Sequence, residues 1–353
     1  MGKNQFFLSI ISIAIGLLTL FSYQQVSFAS EFNFAVTTHL PDNQVDKSHS
    51  YFDLKVDPGS EQTVTISLRN DTSKDVIVDA QVARASTGMS GTVQYSSTDV
   101  KDINSVMDKS FNNDIVKAVS IPKEITIPKK STVDVPVEVK APAAAFKGIM
   151  AGGITFTQTN LKDSQPSTGG TTIQNKYSYT VGVVLRNTLT AVTPDLKLGD
   201  VSVDQFNYRT AIIAPVHNIT STYINHVAVQ GAITKRGSSH QLYRVNITVD
   251  KNHLGKQIAP NSIYRLPFYL GGDKLKGGKY TLDLTMISRG HKWHFKQNFT
   301  ILDSKAKDLN KTDVDTMRID WKLITGILIL IFVVIVILLY IIKKYRGKSD
   351  EKK

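Results

Sequence analysis

The stretch Thr63-Val64-Thr65-Ile66-Ser67-Leu68-Arg69-Asn70 alternates polar and apolar side chains residue by residue. A period of two puts Val64, Ile66 and Leu68 on one face of an extended chain and Thr63, Thr65 and Ser67 on the other, the pattern of a half-buried strand. The same alternation recurs in Val76/Val78/Ala80/Val82, in Val133/Val135/Val137/Val139 and in Tyr280/Leu282/Leu284/Met286. Turn-forming residues separate these runs: Asp57-Pro58-Gly59, Asn70-Asp71-Thr72, Pro128-Lys129-Lys130 and Gly277-Gly278. Helical spacing occurs only in Val100, Ile103, Met107 and Phe111, so one short helix is expected within Lys101–Asp114.

Many short strands at intervals of about 8–12 residues predict β-sandwiches. After Pro194 the pattern yields seven strands, at 196–203, 209–217, 223–235, 240–249, 262–270, 278–288 and 292–301, the complement of one immunoglobulin-like sandwich. Residues 148–158 and 176–186 then close a preceding sandwich, and the polar stretch 160–175 is a long hairpin loop. The fold class expected is all-β, two tandem immunoglobulin-like sandwiches at 31–190 and 191–302. Composition alone would instead cut the chain near 160. Residues 303–322, charged and without apolar period, read as a stalk.

The 353 residues carry 42 Lys+Arg against 30 Asp+Glu, with 41% hydrophobic and 8% aromatic side chains. This is globular composition, which excludes disordered and collagen-like classes. Much of the formal charge of +12 is placed at the two ends, which argues against nucleic acid as a partner. Residues 1–29 read as a signal peptide: Lys3, then the apolar run Phe6–Phe21, then the small-x-small site Ser27-Phe28-Ala29. Residues 323–342 are twenty uncharged residues, long enough at 1.5 Å per residue to cross a bilayer. Trp321 and Tyr340 fall at interfacial positions, and Lys343-Lys344-Tyr345-Arg346 begins a basic tail at 343–353. The expectation is one C-terminal transmembrane helix, the tail cytoplasmic and the sandwiches extracellular, within or across a cell wall. The chain has no cysteine, which suits a bacterial surface better than a disulfide-rich animal one. Five Asn-x-Thr triplets, at Asn70, Asn218, Asn246, Asn298 and Asn310, are uninformative in so threonine-rich a chain.

No catalytic or metal-binding set assembles. The eight histidines are scattered, His291 and His294 fall on opposite faces of a strand, and Asp250–Gly255 departs from a calcium loop at Leu254. No Gly-x-Ser-x-Gly elbow or phosphate loop is present, no thiol exists, and no cofactor is implied. What remains is a binding surface. Tyr51 is a candidate to stack on sugar rings, and Tyr223, Tyr243, Tyr264 and Tyr269, being amphipathic, are candidates to anchor a protein interface. Asn43 and Gln44 either cap backbone groups or touch ligand.

Taken in order, these segments resemble the WxL-interacting protein family of Gram-positive bacteria. The resemblance rests on Phe34-Ala-Val, Leu40-Pro41-Asp42-Asn43-Gln44 and Ser50-Tyr51-Phe52-Asp53-Leu54-Lys55-Val56-Asp57-Pro58-Gly59, then on Phe146-Lys-Gly148-Ile-Met-Ala151-Gly152-Gly153-Ile154. In the second half it rests on Ile258-Ala259-Pro260-Asn261-Ser262, Gly277-Gly278-Lys279-Tyr280-Thr281 and Trp293, Phe295, Phe299 and Ile301. Asp42 departs from the Glu common in the family. The resemblance implies non-catalytic adhesion by a peptidoglycan-binding domain followed by a host-binding domain. It implies as partners peptidoglycan, a WxL-domain surface protein and host extracellular-matrix protein. A scaffold that captures exported proteins by strand addition, without glycan affinity, is the alternative.

Overall fold

A computed structural model describes residues 33–95, 103–160 and 178–316, with scattered residues between 325 and 336. The expected signal peptide and basic tail lie outside the described residues. So does most of the expected transmembrane segment, of which Thr325, Gly326, Ile329, Leu330, Phe332, Val333, Ile335 and Val336 are described, all helical. Among the described residues no helix is long and apolar enough to cross a membrane.

The first unit contains β1 (Ala35–His39), β2 (Phe52–Lys55), β3 (Glu61–Asn70), β4 (Val76–Arg84), β5 (Ser86–Thr87) and β6 (Val93–Gln94). It continues with α1 (Ile115–Ala118), β7 (Val119–Ser120), β8 (Glu124–Ile127), β9 (Ser131–Lys140), β10 (Met150–Gln158) and β11 (Ser178–Arg186). One sheet has the order β1-β3-β9-β7 and the other β2-β11-β10-β4-β8. The alternation of β3 is realised directly: Val64, Ile66 and Leu68 are buried and pair across the ladder with Val137, Val135 and Val133 of β9. The facing sheet contributes Phe52, Leu54, Ile154, Phe156 and Leu185 to the same core. Because β10 and β11 are antiparallel neighbours, residues 161–177, outside the described residues, connect two strands of one sheet.

The second unit contains β12 (Leu196–Leu198), β13 (Ser202–Phe206), β14 (Arg209–Asn218), β15 (Ile224–Lys235), β16 (Gln241–Ile247) and β17 (Lys256–Ile258). β18 (Ile263–Tyr269), β19 (Gly278–Ser288), β20 (His291–Ile301) and α2 (Asp303–Thr312) complete it. β14 is flanked by β12 and β13 on one side and by β18 on the other. The second sheet runs β16-β15-β19-β20, with β17 on the far part of β15. Ile212, Phe268, Leu282, Leu284 and Met286 lie in the shared core.

Three sequence expectations are corrected. The strand expected at 196–203 is broken into β12 and β13: Gly199 donates to the Pro215 carbonyl at 2.8 Å, a close approach that a Cβ there would block against the His217 ring. The helix expected within 101–114 is reduced to a 3-10 turn at Ile103–Ser105, and the α-helical turn comes later, at α1, capped by the Asp114 carboxylate on the Val116 N–H. The stalk expected from 303 is folded through Thr316. In α2, Ala306 and Leu309 are buried in the second core, and the Asp313 carboxylate accepts from the Thr210 N–H at 3.0 Å. The apolar spacing was too short for a helical period to register among the lysines and aspartates of 303–315.

The two units share one local device. Asn70 and Asn218, both fully buried, each sit at a strand end and open an Asn-x-Thr triplet. Each Oδ1 accepts from the N–H and hydroxyl of the threonine two residues on, and each Nδ2 donates to a carbonyl four residues on. Each Nδ2 also crosses to a second segment, at Ile127 and at Ala259. These two triplets are turn caps.

If 303–312 belongs to the second unit, Leu309→Ala costs stability on the scale of a core truncation, about 2 kcal/mol. Chemical denaturation of the detergent-solubilised full chain measures it; an unchanged midpoint would return the segment to a stalk.

Candidate functional site

A cleft of about 800 Å³ opens where the two units meet. Strand pairing explains its walls. Among the described residues β1 is the edge of its sheet, and β2 pairs in parallel with only Val183–Arg186 of β11, so Ser178–Gly182 of β11 has no described neighbour on that side. The two strand edges therefore face a common hollow, lined by Val36–Thr38 from one and Tyr179–Gly182 from the other. The second unit closes it with Tyr223, just before β15, and with Asn225 and Gln257.

Four tyrosines and one histidine give the cleft its character. The Tyr51 ring stacks on His49 with centroids 4.7 Å apart, and Tyr179 meets Phe34 edge-on at 5.2 Å. Tyr95 lies over β10, where Gly153 is needed because a Cβ there would sit 2.8 Å from Tyr95 Cβ. Tyr95 and Tyr223 join their hydroxyls at 2.9 Å across the junction. Burial raises the phenol pKa of Tyr51, Tyr95 and Tyr223, most of all that of Tyr223, where Tyr95 adds to the effect. All three therefore stay neutral at physiological pH and keep an O–H donor.

Asn43 and Gln44 prove to be supports. Gln44 is buried; its Oε1 accepts from the Asp53 N–H and its Nε2 donates to the Tyr51 carbonyl, each at 3.0 Å. Asn43 Nδ2 donates to the Lys55 carbonyl and to Gln62 Oε1. Asp53 in turn takes a two-pronged ion pair from Arg186, at 2.8 and 2.7 Å, which ties β2 to β11 beneath Tyr51. Together these groups fix the backbone that presents the Tyr51 ring.

Of the other candidates, Tyr264 is 1% exposed inside the second core, which corrects its reading as a surface anchor. Tyr243 lines a separate hollow of about 460 Å³ at the opposite end of the second unit, with Lys274, Lys276 and Asp315. Tyr269 is exposed near that end. The structure thus brings Tyr51 and Tyr223 together and adds His49, Tyr95 and Tyr179, which sequence reasoning missed. Nothing local marks Tyr95 or Tyr179; only the tertiary junction gathers them.

The junction is held by backbone as well as side chains. Met107 and Ser262 form a β-bridge, with Asp108 N–H donating to the Asn261 carbonyl and Ile263 N–H to the Val106 carbonyl, both at 2.8 Å. The Thr87 hydroxyl meets that of Ser262 at 2.6 Å and accepts from the Ala259 N–H. His217 Nδ1 lies 2.8 Å from the Asp108 carboxylate. Burial opposes ionisation of Asp108, but its bonds to Ser110 and His217 outweigh burial and hold its pKa below the usual carboxylate value. On the other flank Ile149 donates to the Ser221 carbonyl, an approach that only glycine at 148 allows: φ is +74°, and a Cβ there would collide with that same carbonyl. Among the described residues no group of three or more His, Cys, Asp or Glu could hold a metal ion.

Residues 34–158 match the family model of the WxL Interacting Protein peptidoglycan binding domain, and residues 168–311 match that of the WxL Interacting Protein host binding domain. The chain belongs to the WxL-interacting protein family. Both matched domains are binding domains, not enzymes. The host-binding match takes in β11, although that strand is hydrogen-bonded into the first unit's sheet, and it extends through most of α2. No curated protein matches the chain. Among solved structures, the chain is similar to the YadV chaperone at 14% identity, covering 76% of this chain and 100% of that one, with a TM-score of 0.28. It is similar also to the Pseudomonas aeruginosa CupB2 chaperone at 12% identity, covering 68% and 94%, with a TM-score of 0.27. For the E. coli chaperone DraB the values are 13%, 76% and 96%, and 0.26.

The raised phenol pKa values carry a pH prediction. A proton held more tightly in the folded state stabilises it fully below the unfolded tyrosine value, near 10, and that contribution is lost as pH rises beyond it. Denaturation midpoints compared at about pH 8 and about pH 11 fall steeply in the parent chain, and Tyr223→Phe makes the fall shallower. An equal fall in both would show that Tyr223 is not buried at a closed junction.

Proposed function

We propose that this chain is a membrane-anchored, non-catalytic tether at the cell surface that grips peptidoglycan in the tyrosine cleft and presents the second unit to partner proteins. The observation that carries this reading is the convergence of Tyr51, Tyr95, Tyr179 and Tyr223 on one hollow of about 800 Å³. Neutral phenols offer flat π faces to the C–H faces of amino sugars, and Thr37, Thr38, Asn225 and Gln257 offer hydrogen bonds to hydroxyl and acetamido groups. The chain's family supports the glycan as ligand and a host protein as partner; a WxL-domain surface protein is the further partner proposed. The apolar segment 323–342 supplies the anchor and puts both immunoglobulin-like units outside the cell.

The open edges of β1 and of Ser178–Gly182 support a second reading, in which an exported partner adds a strand in the same cleft. Sedimentation of the full chain with insoluble peptidoglycan distinguishes the two. Tyr51→Ala and Tyr179→Ala each weaken glycan binding by about 1 kcal/mol, roughly fivefold in Kd, with circular dichroism unchanged. Undiminished sedimentation by both variants would remove the cleft as the glycan site. A partner protein that binds the two variants normally but is lost with Thr37→Pro would select strand addition.

A further inference from the structure

The second unit has two ends, and they are unlike. The end carrying Ser221, Tyr223 and Asn261-Ser262 meets the first unit. The strand register places the opposite end at the β13–β14 hairpin (206–209), the β15–β16 loop (235–241), the β18–β19 loop (270–277) and the segment after β20. Every exposed Phe, Tyr or Trp side chain of the two units, among the described residues, falls there: Phe206 is 50% exposed, Tyr208 68% and Tyr269 53%. Leu302 and Val314 add exposed aliphatic surface. Phe206 and Tyr208 sit on a tight hairpin tip, with Asn207 and Tyr208 both at positive φ, and the Tyr208 carbonyl accepts from the Val314 N–H at 2.9 Å. The tip is therefore braced, and it lies against the turn that follows α2.

Charge and exposed aliphatic side chains do not distinguish the two ends, since the other carries Lys251, Arg289 and Lys292 with Leu254 70% exposed; the exposed Phe and Tyr side chains do. The segment after β20 carries Lys305, Lys307 and Lys311 against Asp303, Asp308, Asp313 and Asp315, and residues 235–241 and 270–279 carry Lys235, Arg236, Lys274, Lys276 and Lys279, all exposed, against Asp273. None of the five joins an ion pair among the described residues. The continuous description stops at Thr316, seven residues before the apolar run that begins at Leu323. Seven residues reach about 25 Å at most when extended, so this end of the unit cannot stand far from whatever holds residue 323.

We propose that this end of the second unit is a seat on the bilayer: Phe206, Tyr208, Tyr269, Leu302 and Val314 enter the headgroup layer while the five basic side chains face anionic lipid. Amphipathic rings favour the boundary between water and acyl chains, and lysine and arginine are drawn to an anionic leaflet within a Debye length. The seat orients the stack, with the tyrosine cleft at the end of the second unit away from the lipid. This inference rests on the membrane-anchored reading above and adds to it a contact that an anchor on a loose tether would not make.

Because the chain has no cysteine, single labels report position directly. Tyr208→Cys, Lys251→Cys and Ile329→Cys, each carrying an environment-sensitive fluorophore, are reconstituted as full-length protein into vesicles of phosphatidylcholine and phosphatidylglycerol. Lys251 lies in an exposed loop at the other end of the unit. Quenching by a headgroup-level nitroxide lipid is expected to be several-fold stronger at 208 than at 251, and to fall when Lys235, Arg236, Lys274 and Lys276 are changed to glutamate. Strong quenching at 329 with none at 208 would overturn the seat while leaving the anchor intact, and no quenching at 329 would overturn the anchor itself. Protection of 208 from water without lipid quenching would assign the face to a second copy and overturn the proposal as well.

Discussion

The bridge between Met107 and Ser262 is the contact on which the functional geometry depends. It is a backbone interaction: a loop inserted between the strands of the first unit lends Val106 and Asp108 to the edge of β18, as one further residue pair of the second unit's sheet. Each bond contributes only about 1 kcal/mol net, but an unmade pair in that buried setting would cost more. Around it Thr87, Ser262, Ala259 and Asn261 satisfy one another, and Ser262 and Thr87 are almost wholly enclosed. Without this contact Tyr223 and Tyr95 would belong to separate surfaces and the cleft would lose a wall.

Two features of the sequence take on meaning from that junction. The Ile258-Ala259-Pro260-Asn261-Ser262 stretch, on which the family resemblance partly rests, is the docking loop, and Asn261 turns it through a left-handed conformation at φ +48°. Phe146-Lys-Gly148-Ile is the opposite flank, where glycine lets the two backbones touch. Stretches that along the chain carry only the family resemblance are, in the fold, the surfaces by which one unit recognises the other.

The β character of both units was legible, because strand alternation is a local property and the buried faces of β3, β9 and β19 follow it. From 209 onward the six expected strands of the second unit fall close to their positions, but the strand expected at 196–203 is two, and β17 was not expected. Legibility failed where the deciding force is tertiary. Helix α2 holds only Ala306 and Leu309 against the core, too few apolar residues to show a period among its charges. Tyr264 reads as an amphipathic surface residue and is a core residue, since β18 is covered on that face by the second sheet. The tyrosine cleft was legible only in Tyr51 and Tyr223, as separate candidates. Its other walls come from residues far apart in sequence, and the glycine that admits Tyr95 lies on a third strand. Asn70 and Asn218, uninformative as triplets, are the buried caps of corresponding turns in the two units.

The cleft exists only while the two units form one body. The absence of cysteine permits a direct measurement: spin labels at Glu124→Cys on the first unit and Lys296→Cys on the second, with their separation read by double electron–electron resonance in the full-length, reconstituted protein. One narrow distance population, unchanged by salt, is the result expected of a backbone-bridged junction. A broad distribution, as from two units swinging on the connection near Pro194, would contradict it.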